Sequence, residues 1–158
     1  MFSARSRFLD HIPHAILSVD AEPGVGGRLV VLRANGDIEV WGLEQGETYC
    51  KLRIAGTIGT PVRCVAWDKR SSRCPEGRFF SCGLHGLVTE WDLCKLSPRA
   101  SWDSLGGAAW TMKVHRGRRV LAVGCEDGAC STFDLSDEGL AEPPLLHRTP
   151  PHGGRLLC

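Results

Sequence analysis

Long apolar runs are missing from this chain: nothing in its 158 residues approaches the roughly 20 apolar residues that span a bilayer. The basic start, Met1-Phe2-Ser3-Ala4-Arg5-Ser6-Arg7, is not followed by an apolar segment of signal-peptide length. Together these absences predict an intracellular protein with no membrane partner. The eight cysteines, Cys50, Cys64, Cys74, Cys82, Cys94, Cys125, Cys130 and Cys158, include no Cys-x-x-Cys pair, and no histidine pair stands at zinc-finger spacing. In a reducing compartment they read as small, partly buried strand residues, with no metal and no cofactor expected. Catalytic signatures are missing too: there is no Gly-x-Ser-x-Gly elbow, no P-loop and no His-Glu-x-x-His. The six histidines, among them His11, His14, His115 and His152, fall in predicted loops or strand ends without a repeated partner. No catalytic residue or small-molecule substrate is assigned, and the chain is read as a non-enzyme.

Charge of one sign is also lacking. With 19 Lys plus Arg against 18 Asp plus Glu the net charge is +1, without the basic excess of a dedicated nucleic-acid binder. Any RNA contact therefore depends on local patches. Arginine supplies 15 of the 19 cations, which favours forked contacts to carboxylate or phosphate. Hydrophobic residues at 42% and charged residues at 23% are globular values and argue against wholesale disorder. Helical periodicity is nearly absent, so an all-β reading is preferred over α/β.

What the chain does contain is a repeat. Ala34-Asn35-Gly36-Asp37-Ile38-Glu39-Val40-Trp41-Gly42-Leu43, Leu84-His85-Gly86-Leu87-Val88-Thr89-Glu90-Trp91-Asp92-Leu93 and Glu126-Asp127-Gly128-Ala129-Cys130-Ser131-Thr132-Phe133-Asp134-Leu135 share one pattern. The glycines Gly36, Gly86 and Gly128 lie 50 and 42 residues apart, and so do the aromatics Trp41, Trp91 and Phe133. Two landmarks that move in step mark a repeating unit, and the period falls near that of WD repeats. Each unit has apolar runs for two strands before the glycine, one strand after it, and a candidate fourth: Glu47 to Ile54, Arg99 to Trp102 and Leu145 to His147. Four strands per unit is the content of a propeller blade. Asn35-Gly36 and Asp127-Gly128 predict type I′ hairpin turns with positive φ at both central residues, and His85-Gly86 takes the same place. The aromatics, with Asp92, are read as structural blade residues; Trp67 and Trp110 are expected to join the core between blades.

The expected fold is therefore an all-β WD-repeat propeller of about three four-stranded blades. Residues 1–12 form a lead-in, 13–55 blade one, 56–105 blade two, 106–151 blade three and 152–158 the start of a fourth. Three blades fall short of the four to eight that close a ring, so an arc of a larger propeller is expected, with exposed terminal strands.

Gly106-Gly107-Ala108-Ala109-Trp110-Thr111-Met112, followed by Leu121-Ala122-Val123-Gly124-Cys125-Glu126-Asp127-Gly128, resembles the third blade of cirhin-like WD-repeat proteins of the small-subunit processome. Phe80 to Gly86 with Glu90-Trp91-Asp92-Leu93 looks like that family's second blade, and the resemblance covers roughly residues 4–135. It implies a nucleolar, non-catalytic scaffold supporting pre-rRNA transcription and processing toward small-subunit rRNA. The implied partners are other processome WD-repeat proteins and, through basic loops, precursor rRNA. Such proteins are much longer, with two propellers, so an N-terminal fragment or short isoform is expected. Trp41-Gly42, in place of Trp-Asp, departs from the pattern. A WD adaptor of another assembly, such as a ubiquitin-ligase substrate receptor, is the alternative the blade pattern leaves open.

Seven cations stand in equivalent connections: Lys69, Arg70, Arg73 and Arg78 in blade two, Arg116, Arg118 and Arg119 in blade three. Equivalent loops emerge on one face of a propeller, and only Asp68 and Glu76 lie among these residues. They are predicted to line a basic rim that contacts RNA phosphate or an acidic partner.

Overall fold

The structure is a computed structural model and describes residues 14–24, 27–44, 47–56, 61–70, 74–115 and 117–157. The lead-in, residues 1–12, lies outside them. Every regular element among the described residues is a β-strand. Blade one consists of β1 (Ile16–Ala21), β2 (Arg28–Arg33), β3 (Ile38–Glu44) and β4 (Glu47–Ile54). Blade two consists of β5 (Val62–Asp68), β6 (Arg78–Gly83), β7 (Leu87–Asp92) and β8 (Ser97–Asp103). In blade three, β9 (Ala109–His115), β10 (Val120–Cys125) and β11 (Cys130–Asp134) are followed by the short β12 (Leu145–Arg148). Each blade is one antiparallel meander in which strands adjacent in sequence are adjacent in space. The chain is three blades of an incomplete propeller.

The first strands hold the blades together. β5 packs against both β1 and β9. Ser18 Oγ accepts the Val65 N–H at 3.2 Å, and Asp20 accepts the Trp67 N–H at 2.7 Å. The two-residue period of a strand decides which side chains enter which seam. Val65, Trp67 and Phe79 point toward blade one, where Val30, Leu32, Ile38, Val40 and Ile54 receive them. The alternate positions Cys64, Ala66, Phe80 and Cys82 point toward Met112, Leu121, Val123 and Phe133 of blade three. Blade two is covered on both faces, so β6 is buried at every position. β1, at one end of the arc, leaves Ile16, Leu17 and Val19 exposed.

The hairpin turns correct one expectation. Gly36, Gly86 and Gly128 have φ of 86°, 79° and 80°, but Asn35, His85 and Asp127 are not among the residues with positive φ. Each glycine N–H instead bonds the carbonyl three residues back (Arg33, Gly83 and Cys125, at 2.9, 3.1 and 3.2 Å), which is a type I turn closed by a left-handed glycine. The preceding residue is selected for its side-chain acceptor. Asn35 Oδ1, His85 Nδ1 and Asp127 Oδ1 take the N–H two residues on at 3.2, 3.0 and 2.9 Å. His85 fits because its neutral ring offers the same acceptor, and burial lowers its pKa and keeps it neutral. The glycine is required a second time by the crossing chain: a Cβ on Gly86 would meet the Gly107 carbonyl at 3.0 Å, and one on Gly128 the His152 carbonyl at 2.3 Å.

Of residues 152–158, read above as the start of a fourth blade, Cys158 lies outside the described residues and 152–157 carry no regular element. They run over the last turn, with the Leu156 N–H on the Cys125 carbonyl at 3.3 Å. Trp110 also departs from expectation. It is half-buried outside both core clusters, with the guanidiniums of Arg63 and Arg155 5.6 and 5.2 Å from its ring centroid. The unforeseen core aromatic is Trp102, which meets Phe80 and Phe133 edge-on at 6.0 and 6.1 Å.

Candidate functional site

The equivalent connections do come together, but three of their cations, Arg70, Arg78 and Arg119, arrive with partners. In blade two the first strand ends on Asp68 and the second begins on Arg78, and these two lie 3.2 Å apart. Arg78 also stands 3.8 Å from Glu90 and donates to the Leu135 carbonyl of blade three at 3.1 Å. At 3% exposure Arg78 lines no rim; it belongs to the seam, because the next blade closes over it. Arg119 reaches back to Asp68 at 3.3 Å and to Glu138 at 2.6 Å, and Arg99 meets Glu90 at 3.2 Å. Three carboxylates thus face three guanidiniums. Arg119 holds a left-handed backbone (φ 52°), a strain of order 1–3 kcal/mol that its two ion pairs offset.

The seam of blades one and two repeats the plan. Glu22 follows β1 and Arg28 opens β2, and they form a two-pronged pair with both contacts at 2.7 Å. Arg70, from the β5–β6 connection, donates to the same carboxylate, and Glu76 lies 3.2 Å from Arg28. In both seams an acid at the end of a first strand is gripped by an arginine of its own blade and an arginine of the next. Burial by itself would raise the pKa of Glu22, but the bonds from Arg28 and Arg70 outweigh it and hold it at about 2. Glu90 moves the opposite way: burial raises it, and the arginines Arg78 and Arg99 offset only part of that.

Of the seven predicted contact residues, Lys69 and Arg118 are exposed and carry no ion pair among the described residues. Arg70 is half-exposed and paired, Arg78 and Arg119 are committed to the seam, and Arg73 and Arg116 lie outside the described residues. The acids that sequence reasoning missed are Glu22, Glu90 and Glu138. A signal for part of the plan was present: Arg28 and Arg78 each stand eight residues ahead of their turn glycine, with an acid at or just past the end of the preceding strand.

The structural blade residues fall into distinct roles. Phe133 is buried between blades two and three, and Trp91 stacks on Phe79 at 6.2 Å with its N–H on Ser81 Oγ at 2.9 Å. Trp41 is half-buried on the face of blade one turned away from blade two, its N–H on Glu39 at 2.8 Å. Asp92 cages the β7–β8 turn by accepting the N–H groups of Cys94 and Lys95 at 2.9 and 3.0 Å. Among the described residues no group of three or more His, Cys, Asp or Glu is placed to hold a metal. The arrangement staples blades.

No protein-family model matches the chain. It is 33% identical over 140 residues to U3 small nucleolar RNA-associated protein 4 of Schizosaccharomyces pombe, covering 84% of this chain and 19% of that protein. The chain is similar to one segment of that protein. The human homolog is 30% identical over 134 residues, 85% of this chain and 18% of that protein. The Saccharomyces cerevisiae protein is 28% identical over 144 residues, 86% of this chain and 18% of its own length. The chain therefore spans less than a fifth of the curated relatives it matches. Among solved structures, U3-55K superposes with a TM-score of 0.70 at 16% identity, over 94% of this chain and 43% of that one. That likeness carries the propeller fold alone.

Proposed function

We propose that the chain is a non-catalytic WD-repeat scaffold segment of the nucleolar small-subunit processome, supporting pre-rRNA transcription and processing toward small-subunit rRNA. The observation that carries this reading is the similarity, over 84% of the chain, to a protein named for its association with U3 small nucleolar RNA. The stapled seams suit a rigid display surface, since blades locked by buried ion pairs hold their loops in fixed relation. Its partners are other WD-repeat proteins of the processome and precursor rRNA. Direct RNA contact rests on Lys69 and Arg118, the two of the seven predicted contact residues that are exposed and carry no ion pair among the described residues.

The deciding experiment expresses the tagged chain in cells and identifies what co-purifies. Processome proteins, U3 small nucleolar RNA and precursor rRNA are the expected companions, with nucleolar localisation. Their absence from a folded, expressed chain overturns the proposal. Direct contact is tested by Lys69→Glu with Arg118→Glu: weaker precursor-rRNA binding with a shallower salt dependence supports it, and unchanged binding removes it.

A further inference from the structure

Three buried thiols meet in the seam of blades two and three. Cys64 on β5 and Cys82 on β6 are direct cross-strand partners, and Cys125 at the end of β10 lies in the same cluster. Residues directly opposite one another in an antiparallel pair have Cα atoms about 4.5–5.5 Å apart. That falls within the separation a disulfide accepts. The Cys64 thiol now rests 3.6 Å from the Met112 carbonyl and 3.7 Å from the Val65 carbonyl. Turning it onto Cys82 leaves the strand register as it stands. A register shift lies between Val62 and Cys64, so β5 is irregular next to Cys64. Cys64 keeps 9% of its surface exposed, while Cys82 has none.

The two thiols are also unlike in chemistry. Hydrogen bonding from Cys82, aided by Ser18 at 3.6 Å, outweighs burial and lowers the Cys64 thiol to about 6. The same bond to Cys64, together with burial, pushes the Cys82 thiol up. A less deeply buried thiol that ionises easily, beside a fully buried one that does not, is the division between an attacking and a resolving cysteine.

We propose that Cys64 and Cys82 are a reversible disulfide pair, oxidised by a small-molecule disulfide such as glutathione disulfide, which staples the two inner strands of blade two. The Cys64 thiolate attacks one sulfur of glutathione disulfide. Its S–S bond breaks, one glutathione thiolate leaves, and a mixed disulfide forms on Cys64. Cys82 then loses its proton to solvent and attacks the Cys64 sulfur, expelling the second glutathione. Two protein thiols are oxidised, and one glutathione disulfide is reduced to two thiols. Cys125, whose Sγ lies 3.7 Å from the carbonyls of Ser104 and Val123, takes no part.

The test incubates the full 158-residue chain with graded ratios of reduced to oxidised glutathione, quenches in acid, alkylates in denaturant and maps the peptides. The expected product is a Cys64–Cys82 linked peptide that has lost two hydrogens, with a raised thermal midpoint that dithiothreitol reverses. Exposed Cys94 serves as the internal control for oxidation. Cys82→Ser is expected to stop the reaction at glutathione on Cys64, and Cys125→Ser to leave the linkage unchanged. Recovery of both Cys64 and Cys82 as free thiols in samples where Cys94 is oxidised overturns the proposal. So does a linkage of either residue to Cys125.

Discussion

Blade one meets blade two through aliphatic side chains, Val30, Leu32, Ile38, Val40 and Ile54, packed on Trp67 and Phe79. Blade two meets blade three through Phe80 and Trp102 against Phe133, with small thiols at Cys64, Cys82 and Cys125 filling the remaining space. The ionic layers differ in the same graded way. At the first seam Glu22 is shared by Arg28 and Arg70, and Arg70 and Glu76 both reach solvent. At the second, Asp68, Arg78 and Glu90 are all buried, with Arg99 and Arg119 as the outer members. One geometric plan thus tolerates two chemistries, because strand register places the acid and the arginine and the local burial decides what each pair is worth. The wetter seam holds an acid with a lowered pKa, and the drier seam an acid with a raised one.

The sharpest way to break that comparison is to remove one acid from each seam. Asp68→Asn leaves Arg78 buried without its nearest charge and is expected to cost about 3–5 kcal/mol. Glu22→Gln leaves Arg28 with Glu76 and lets Arg70 turn to water, for a smaller loss of roughly 1–3 kcal/mol. Urea unfolding midpoints of the two variants check the order, and equal losses would show that burial does not separate the seams.

Acid titration separates them by sign. The pKa of Glu22 is lowered on folding, so its contribution is present above the ordinary carboxylate range and is lost as pH falls from about 4.5 toward 2. It amounts to roughly 3 kcal/mol. The raised pKa of Glu90 works the other way: its contribution is full at low pH and declines as pH rises through the folded value. Unfolding midpoints below pH 5 are therefore expected to fall less steeply in Glu22→Gln than in the parent chain. Glu90→Gln is expected to steepen the fall at higher pH, between the raised folded value of Glu90 and about 4.5. Parallel curves for all three proteins would refute the assignment.

Smaller effects are expected at the turns. Asn35→Ala and His85→Ala each remove a side-chain acceptor for a turn N–H, at a cost of about 0.5–1.5 kcal/mol, whereas His85→Asn restores the acceptor and is expected to hold stability level. Thermal midpoints decide; a His85→Asn loss as large as His85→Ala would mean that the ring's packing matters more than its nitrogen. Smallest of all, Lys69→Glu and Arg118→Glu are expected to stay within about 0.5 kcal/mol of the parent chain, since neither side chain touches a seam. A larger loss would place these cations in the structural networks.

Much of the fold was legible because its signals are local. Gly36, Gly86 and Gly128 sit at left-handed positions, and the runs around Val30, Phe80 and Leu121 became strands within a residue or two of their expected bounds. The turn type was misjudged because Asn-Gly and Asp-Gly fit two hairpin geometries. Only backbone angles separate the residue that needs positive φ from the one that supplies an acceptor. Trp110 carried the same hydrophobic signal as Trp67, yet β9 turns it outward to Arg63 and Arg155, whereas β5 turns Trp67 into a seam.

By itself the sequence determined the repeat, the strands and the glycine turns, because each depends on neighbouring residues and recurs with a readable period. The fate of the charges was decided only by the tertiary structure. Arg70 meets Glu22 across 48 positions, Arg119 meets Asp68 across 51, and Arg78 reaches the Leu135 carbonyl across 57. Three residues of an apparent basic rim, Arg70, Arg78 and Arg119, enter two ionic networks because blade packing delivers acids that no inspection of the loops alone can count. A charge stays free or becomes paired according to what folds against it, and that is a property of the assembled arc.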